Sequence, residues 1–125
     1  TVYVGATHPT RDLTYVEDTV EAFIRLAESP EAIGKVTNVG SGKEATIREL
    51  VDRICTIVGK DVKVIFDPAR LRPPMSEVDR LLADTSRMKE MTGWEPSVSL
   101  EDGLRKTVDW ISDHFLLYRP DVYAI

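Results

Sequence analysis

Three stretches of the chain carry apolar residues at helical spacing, and short β-prone runs lie between them. Val16, Val20, Phe23, Ile24 and Ala27 predict a helix over Val16–Glu28, ended by Ser29-Pro30 and Gly34. Ile47, Leu50, Val51, Ile54 and Val58 predict a second helix. Thr46 and Glu49 have the spacing of a capping box at its start, and Gly59 suits its left-handed end. Leu100, Leu104, Val108, Ile111 and Phe115 line a last helix capped by Ser99, with Asp102 as partner. A fourth, shorter helix over 85–91 is expected from Asp84 as a cap and Gly93 as a stop. Val2–Val4, residues 36–39 and residues 62–66 read as strands; the second stops at Gly40-Ser41-Gly42. Residues 7–10 and the Pro- and Arg-rich segment 67–75 read as loops, and the tail from Tyr118 has no period.

The expectation is an α/β chain with about four helices and three or four short strands. So thin a sheet is marginal without neighbours. Strand character already at Thr1-Val2-Tyr3, with no initiator methionine, points to a piece of something longer. The length of 125 residues still suits one domain with its own core. A net charge of −5 argues against a nucleic-acid partner, and no apolar run is long enough to span a bilayer. The lone Cys55 cannot form an internal disulfide and reads as a buried, inert thiol in a cytoplasmic protein.

Candidate chemistry begins with Arg11, Arg70 and Arg72. A guanidinium offers forked donors that match phosphate oxygens, and prolines 73 and 74 stiffen the chain beside Arg72; solvated surface arginines are the alternative. Glu77 and Asp79 could accept from ribose hydroxyls or a guanine edge, or Glu77 could pair with Arg72 or Arg80. The Gly40-Ser41-Gly42 turn could admit a phosphate, but lacks the third glycine of a dinucleotide fingerprint. Asp12, Glu17 and Asp18 are explained by the helix N-terminus they precede or occupy. Trp94 and Trp110 read as core anchors, with an exposed Trp94 able to stack on a base. No histidine or cysteine spacing suggests a metal, and no Tyr-x-x-x-Lys occurs: the residues four after Tyr3, Tyr15 and Tyr118 are Thr7, Thr19 and Val122.

In order, the chain contains Arg11-Asp12-Leu13-Thr14-Tyr15-Val16-Glu17-Asp18, Asn38-Val39-Gly40-Ser41-Gly42, the helix from Thr46, Arg72-Pro73…Glu77-Val78-Asp79…Ala83-Asp84, Gly93-Trp94-Glu95-Pro96, and a helix over 100–111 with Gly103-Leu104 and Trp110. This set resembles the C-terminal part of extended short-chain dehydrogenase/reductases, the NAD-dependent sugar-nucleotide epimerase/dehydratase family. It is similar above all to GDP-mannose 4,6-dehydratases and to the GDP-N-acetylglucosamine 4,6-dehydratases of the legionaminic pathway. The insertion of Pro74 and Met75 after Arg72-Pro73 favours the latter.

The resemblance implies the C-terminal portion of an extended Rossmann-type enzyme. Residues 1–45 would form the edge of the Rossmann sheet and its connecting helix, and residues 46–125 mainly a substrate-binding subdomain. Arg11 would contact the diphosphate of a nucleoside diphosphate sugar, a GDP-sugar favoured. Arg72 would hold the phosphates or ribose and Glu77 the ribose or base, with Asn38 at the cleft. The implied reaction is a 4,6-dehydration: NAD oxidises C4, water leaves across C5 and C6, and the hydride returns to C6. NAD and the catalytic Tyr-Lys pair would belong to an N-terminal region upstream of Thr1, so this stretch supplies no catalytic residue, and the parent enzyme would be a homo-oligomer. The alternatives are a 4-epimerase on the same scaffold, or a non-catalytic nucleotide-sugar-binding or oligomerisation module.

Overall fold

A computed structural model describes residues 1–73 and 76–119. Pro74, Met75 and the tail residues 120–125 lie outside the described residues. The helices form where the apolar period and the caps place them. The first, α1, runs Val16–Glu28. The second, α2, runs Ile47–Val58 behind a complete Thr46/Glu49 capping box and ends at Gly59 with φ 68°. The third, α3, covers Ser86–Thr92, one residue later than expected at each end; Asp84 accepts from the Ser86 N–H, while Thr85 holds the cap position. The last, α4, runs Leu100–Asp113 with the Ser99 hydroxyl accepting from the Asp102 N–H.

The strands depart further from expectation. Strand β1 (Val2–Val4) runs parallel to β4 (Val64–Phe66), pairing Val2 with Val64 and Val4 with Phe66. A second sheet has β2 (Thr10–Asp12) at its centre, antiparallel to β3 (Glu44–Thr46) and parallel to β5 (Arg80–Leu81). These three elements have two or three residues each, too few for an alternation to be legible. Residues 36–39, expected as a strand, pair with no strand among the described residues. A strand needs a neighbour for its backbone groups, and the described residues supply none there.

Ala22, Met88 and Trp94 form the buried cluster, with Leu26 and Val39 packed against it. Trp94 is only 5% exposed, so it cannot stack on a ligand base, whereas Trp110 is half exposed rather than a core anchor. Cys55 is half-buried rather than enclosed. The chain exposes 9287 Å², against about 6,700 Å² for a compact monomer of its mass. The expectation of a self-sufficient core is therefore corrected. Large apolar residues are among those exposed: the α1 stripe of Val16, Val20, Phe23 and Ile24 is 50–64% exposed. Ile33 and Val36, just beyond it, are 81% and 83% exposed. Helix α1 instead buries its other side, through Asp18 and Ala22. Among the described residues, no helix is long and apolar enough to cross a membrane.

Candidate functional site

Strand β2 presents successive side chains to opposite faces, and its two charged residues serve different segments. Arg11 turns toward the residues leading into β5. Its Nη1 donates to the carbonyl oxygens of Thr10 (2.8 Å) and Val78 (2.7 Å), and its Nη2 to Glu77 Oε1 at 2.9 Å. Both partners of this ion pair are about four-fifths buried, so it is less screened than a surface pair. The parallel register of Arg11 with Leu81, and a bond from the Thr10 N–H to the Asp79 carbonyl, bring Glu77 alongside. Glu77 therefore pairs with Arg11, not with Arg72 or Arg80. Arg80 instead grips Glu44 across the sheet at 2.8 and 3.0 Å, with the Thr10 hydroxyl donating to the same carboxylate. The Arg80 hydrogen bond, then that from Thr10, holds Glu44 below the usual carboxylate range.

Arg72 is exposed in the loop before Glu77, and no ion pair among the described residues engages it. Arg70 reaches back to Asp67 at 3.2 Å. Asn38 is exposed and its Nδ2 donates to the Asp84 carbonyl at 3.4 Å. Of the four candidates Arg11, Asn38, Arg72 and Glu77, the fold thus brings Arg11 and Glu77 into contact. Arg72 shares the Glu77 segment without pairing with it, and Asn38 is tied to the chain beyond β5. A cleft of about 460 Å³ opens beside Arg11, with Lys43, Arg53, Ser97 and Ser99 in its wall. Asn38, Arg72 and Glu77 do not line it.

Asp12, on the other face of β2, gathers four donors. Its Oδ1 accepts from the Ser41 N–H (2.7 Å) and hydroxyl, and its Oδ2 from the N–H groups of Gly42 (3.0 Å) and Ala83 (3.3 Å). The Gly40-Ser41-Gly42 turn thus spends two of its N–H groups on an internal carboxylate, which corrects the expectation that it could admit a phosphate. Asp18 acts in the same way from the first turn of α1. It is 3% exposed and accepts from the Ser97 N–H (3.0 Å), the Ser97 hydroxyl (2.9 Å) and the Val98 N–H (3.0 Å). Burial pulls its pKa up, but the bonds from Ser97 and Val98 and the Lys106 charge outweigh it, and the net shift is downward. The helix N-terminus does not account for Asp12 or for the full role of Asp18. Both are hubs whose donors lie 29 to 80 residues away, a distance over which sequence spacing carries no signal.

The sequence model of the GDP-mannose 4,6 dehydratase family matches residues 1–107. A GDP-6-deoxy-D-mannose reductase of Pseudomonas aeruginosa is 36% identical over 110 residues, 87% of this chain and 35% of the relative. A UDP-glucose 4-epimerase of Mycolicibacterium smegmatis is 40% identical over 101 residues, 81% of this chain and 31% of the relative. Among solved structures, a dTDP-glucose 4,6-dehydratase of Bacillus anthracis in complex with NAD superposes with a TM-score of 0.77 at 28% identity. It covers 95% of this chain and 36% of that one. The chain spans about a third of the length of the relatives it matches.

Proposed function

Because the chain belongs to the GDP-mannose 4,6 dehydratase family, we propose that it is the nucleoside-diphosphate-sugar-binding portion of a longer NAD-dependent enzyme, a 4,6-dehydratase acting on a GDP-sugar. The observation that carries this reading is the Arg11–Glu77 pair, held at 2.9 Å with Arg72 exposed nearby in sequence. With both Nη1 hydrogens spent on carbonyls and one Nη2 hydrogen on Glu77 Oε1, Arg11 would offer a diphosphate its Nε–H and second Nη2–H, and Glu77 would offer ribose hydroxyls or a base edge its Oε2. Arg72, exposed on the same segment, would add a second phosphate contact, and Asn38 would border the site. The epimerase alternative draws support from the 40% identity with a 4-epimerase.

The residues present do not fit NAD. The one glycine-rich turn has its Ser41 and Gly42 N–H groups occupied by Asp12, and the sequence holds no Tyr-x-x-x-Lys. The cofactor would be held elsewhere in the longer protein, and the role of this chain is to bind and orient the nucleotide end of the substrate.

Calorimetry of the 125-residue chain with GDP-, UDP- and dTDP-sugars tests the reading. A GDP-sugar should bind preferentially, and Arg72→Ala should weaken it at least about tenfold through loss of a charge-assisted contact. A folded chain that binds no nucleotide sugar would overturn the proposal.

The apolar face of α1 and the unpaired run at 36–39 would be the surface on which the rest of the enzyme docks. The occupant is a sheet edge of the Rossmann region. That edge would pair with the β-prone residues 36–39 while its apolar side covers Phe23 and Ile24. The surface excess and the threefold greater length of the relatives support this occupant. Phe23→Asp is expected to shift the stability of this chain by no more than about 0.5 kcal/mol, as for an exposed site, yet to prevent assembly of the longer enzyme. A chemical denaturation curve showing a loss above about 1 kcal/mol in the short chain would mean that this face is already in use.

A further inference from the structure

The carboxylate of Asp12 has no share in the contacts assigned to ligand, yet it is the point where three separate segments meet. Two donors come from Ser41 and one from Gly42, in the turn after residues 36–39; the fourth comes from Ala83, two residues past β5. The approach is close enough to exclude a side chain at Gly40, where a Cβ would lie 2.4 Å from the Ala83 Cβ and 2.7 Å from Asp12 Oδ2. The pairing of β2 with β5 covers only Thr10 with Arg80 and Arg11 with Leu81. A two-rung ladder is a weak constraint on register. Asp12 extends it by one anchor, at Ala83, on the far side of β5 from Glu77.

We propose that Asp12 is a positioning residue for the nucleotide-sugar site. By tying Ala83 and the 40–42 turn to β2, its carboxylate sets where β5 lies, and with it where Glu77 meets Arg11. The inference rests on the binding function proposed above. A carboxylate is needed because all four partners donate. Asparagine keeps the shape but turns its own N–H₂ toward at least one of the N–H donors. The effect is transmitted to Glu77 through the strand, not through any contact of Asp12 with ligand.

Asp18 provides the control. It too gathers backbone and hydroxyl donors, but from Ser97 and Val98. Asp12→Asn and Asp18→Asn should both lower Tm. In calorimetry well below either Tm, only Asp12→Asn should weaken GDP-sugar binding, by about tenfold, and Ser41→Ala, which removes one donor of four, should weaken it less. Equal binding by Asp12→Asn and the unchanged chain, or an equal loss in Asp18→Asn, would overturn the proposal and assign Asp12 a purely structural role.

A ligand-free readout separates this inference from the binding function. In a double-mutant cycle, Asp12→Asn and Glu77→Gln should couple. The double variant should lose about 2 °C less in Tm than the sum of the single losses, because Glu77 is already displaced once Asp12 is gone. Additive losses would overturn the positioning role. If the chain binds no nucleotide sugar but the cycle couples, the positioning of Glu77 by Asp12 stands and the binding function fails.

Discussion

Asp18→Asn is expected to destabilise the chain by about 3 kcal/mol, the sum expected when a buried carboxylate loses charge-assisted bonds and leaves donors poorly paired. At this chain length that corresponds to a fall in Tm of about 10 °C, measurable by calorimetry or circular dichroism. The reason is the position of the residue. It sits 3% exposed in the first turn of α1 and is the acceptor for the Ser97 and Val98 N–H groups. Those two residues follow the α3–Trp94 segment and precede α4, so one side chain joins the start of one helix to the entry of another. The pKa of Asp18 is lowered in the folded state despite its burial. Its contribution is therefore complete above the unfolded aspartate value of about 4 and is lost as pH falls through the folded value. Stability of the unchanged chain should decline on acidification below about pH 5, and Asp18→Asn should flatten that decline. A variant whose acid profile parallels the unchanged chain would show that other carboxylates carry it.

Gly40→Ala is the second large effect. The added methyl would sit 2.4 Å from the Ala83 Cβ and 2.7 Å from Asp12 Oδ2. Neither neighbour can swing aside: one is a Cβ fixed by the backbone, and the other belongs to a carboxylate held by four donors, two on each oxygen. The turn must move away from β2, at a cost of about 3 kcal/mol, the top of the usual range for overpacking. Because the same movement breaks the Asp12 bonds, the nucleotide-sugar binding proposed above should weaken along with stability. Adding Ala83→Gly removes the shorter of the two contacts and should restore some of the loss, leaving the contact with Asp12. Absence of any rescue in denaturant titration would mean that the Ala83 contact is not the origin of the cost.

Arg11 and Arg72 illustrate why the candidate site is only half legible in the sequence. Both stand out because arginine beside proline or in an acidic run is a recognisable ligand for phosphate. That Arg11 meets Glu77 while Arg72 stays exposed depends on a pairing of β2 with β5 that spans about 70 residues and only two rungs. The residues alone offer Arg72 or Arg80 as partners of Glu77, and the fold supplies Arg11. For Asp12 and Asp18 the residues alone offer a helix N-terminus. The donors that occupy them are mostly backbone groups of distant residues, and backbone groups have no sequence signature.

The four helices are readable from the residues alone, and so are the caps of α2 and α4, though α3 starts from Thr85 and not Asp84; a helix closes its hydrogen bonds within four residues and its caps act within three. Thr46 with Glu49, Ser99 with Asp102, and the glycines at 59 and 93 are all such local devices. Strands β2, β3 and β5, the missing pairing at 36–39, and the outward-facing stripe of α1 are settled by the tertiary arrangement. A strand exists only where a distant segment accepts its bonds. An apolar stripe states that a helix has a face to bury without stating against what, and in α1 the side turned inward is the one that carries Asp18 and Ala22.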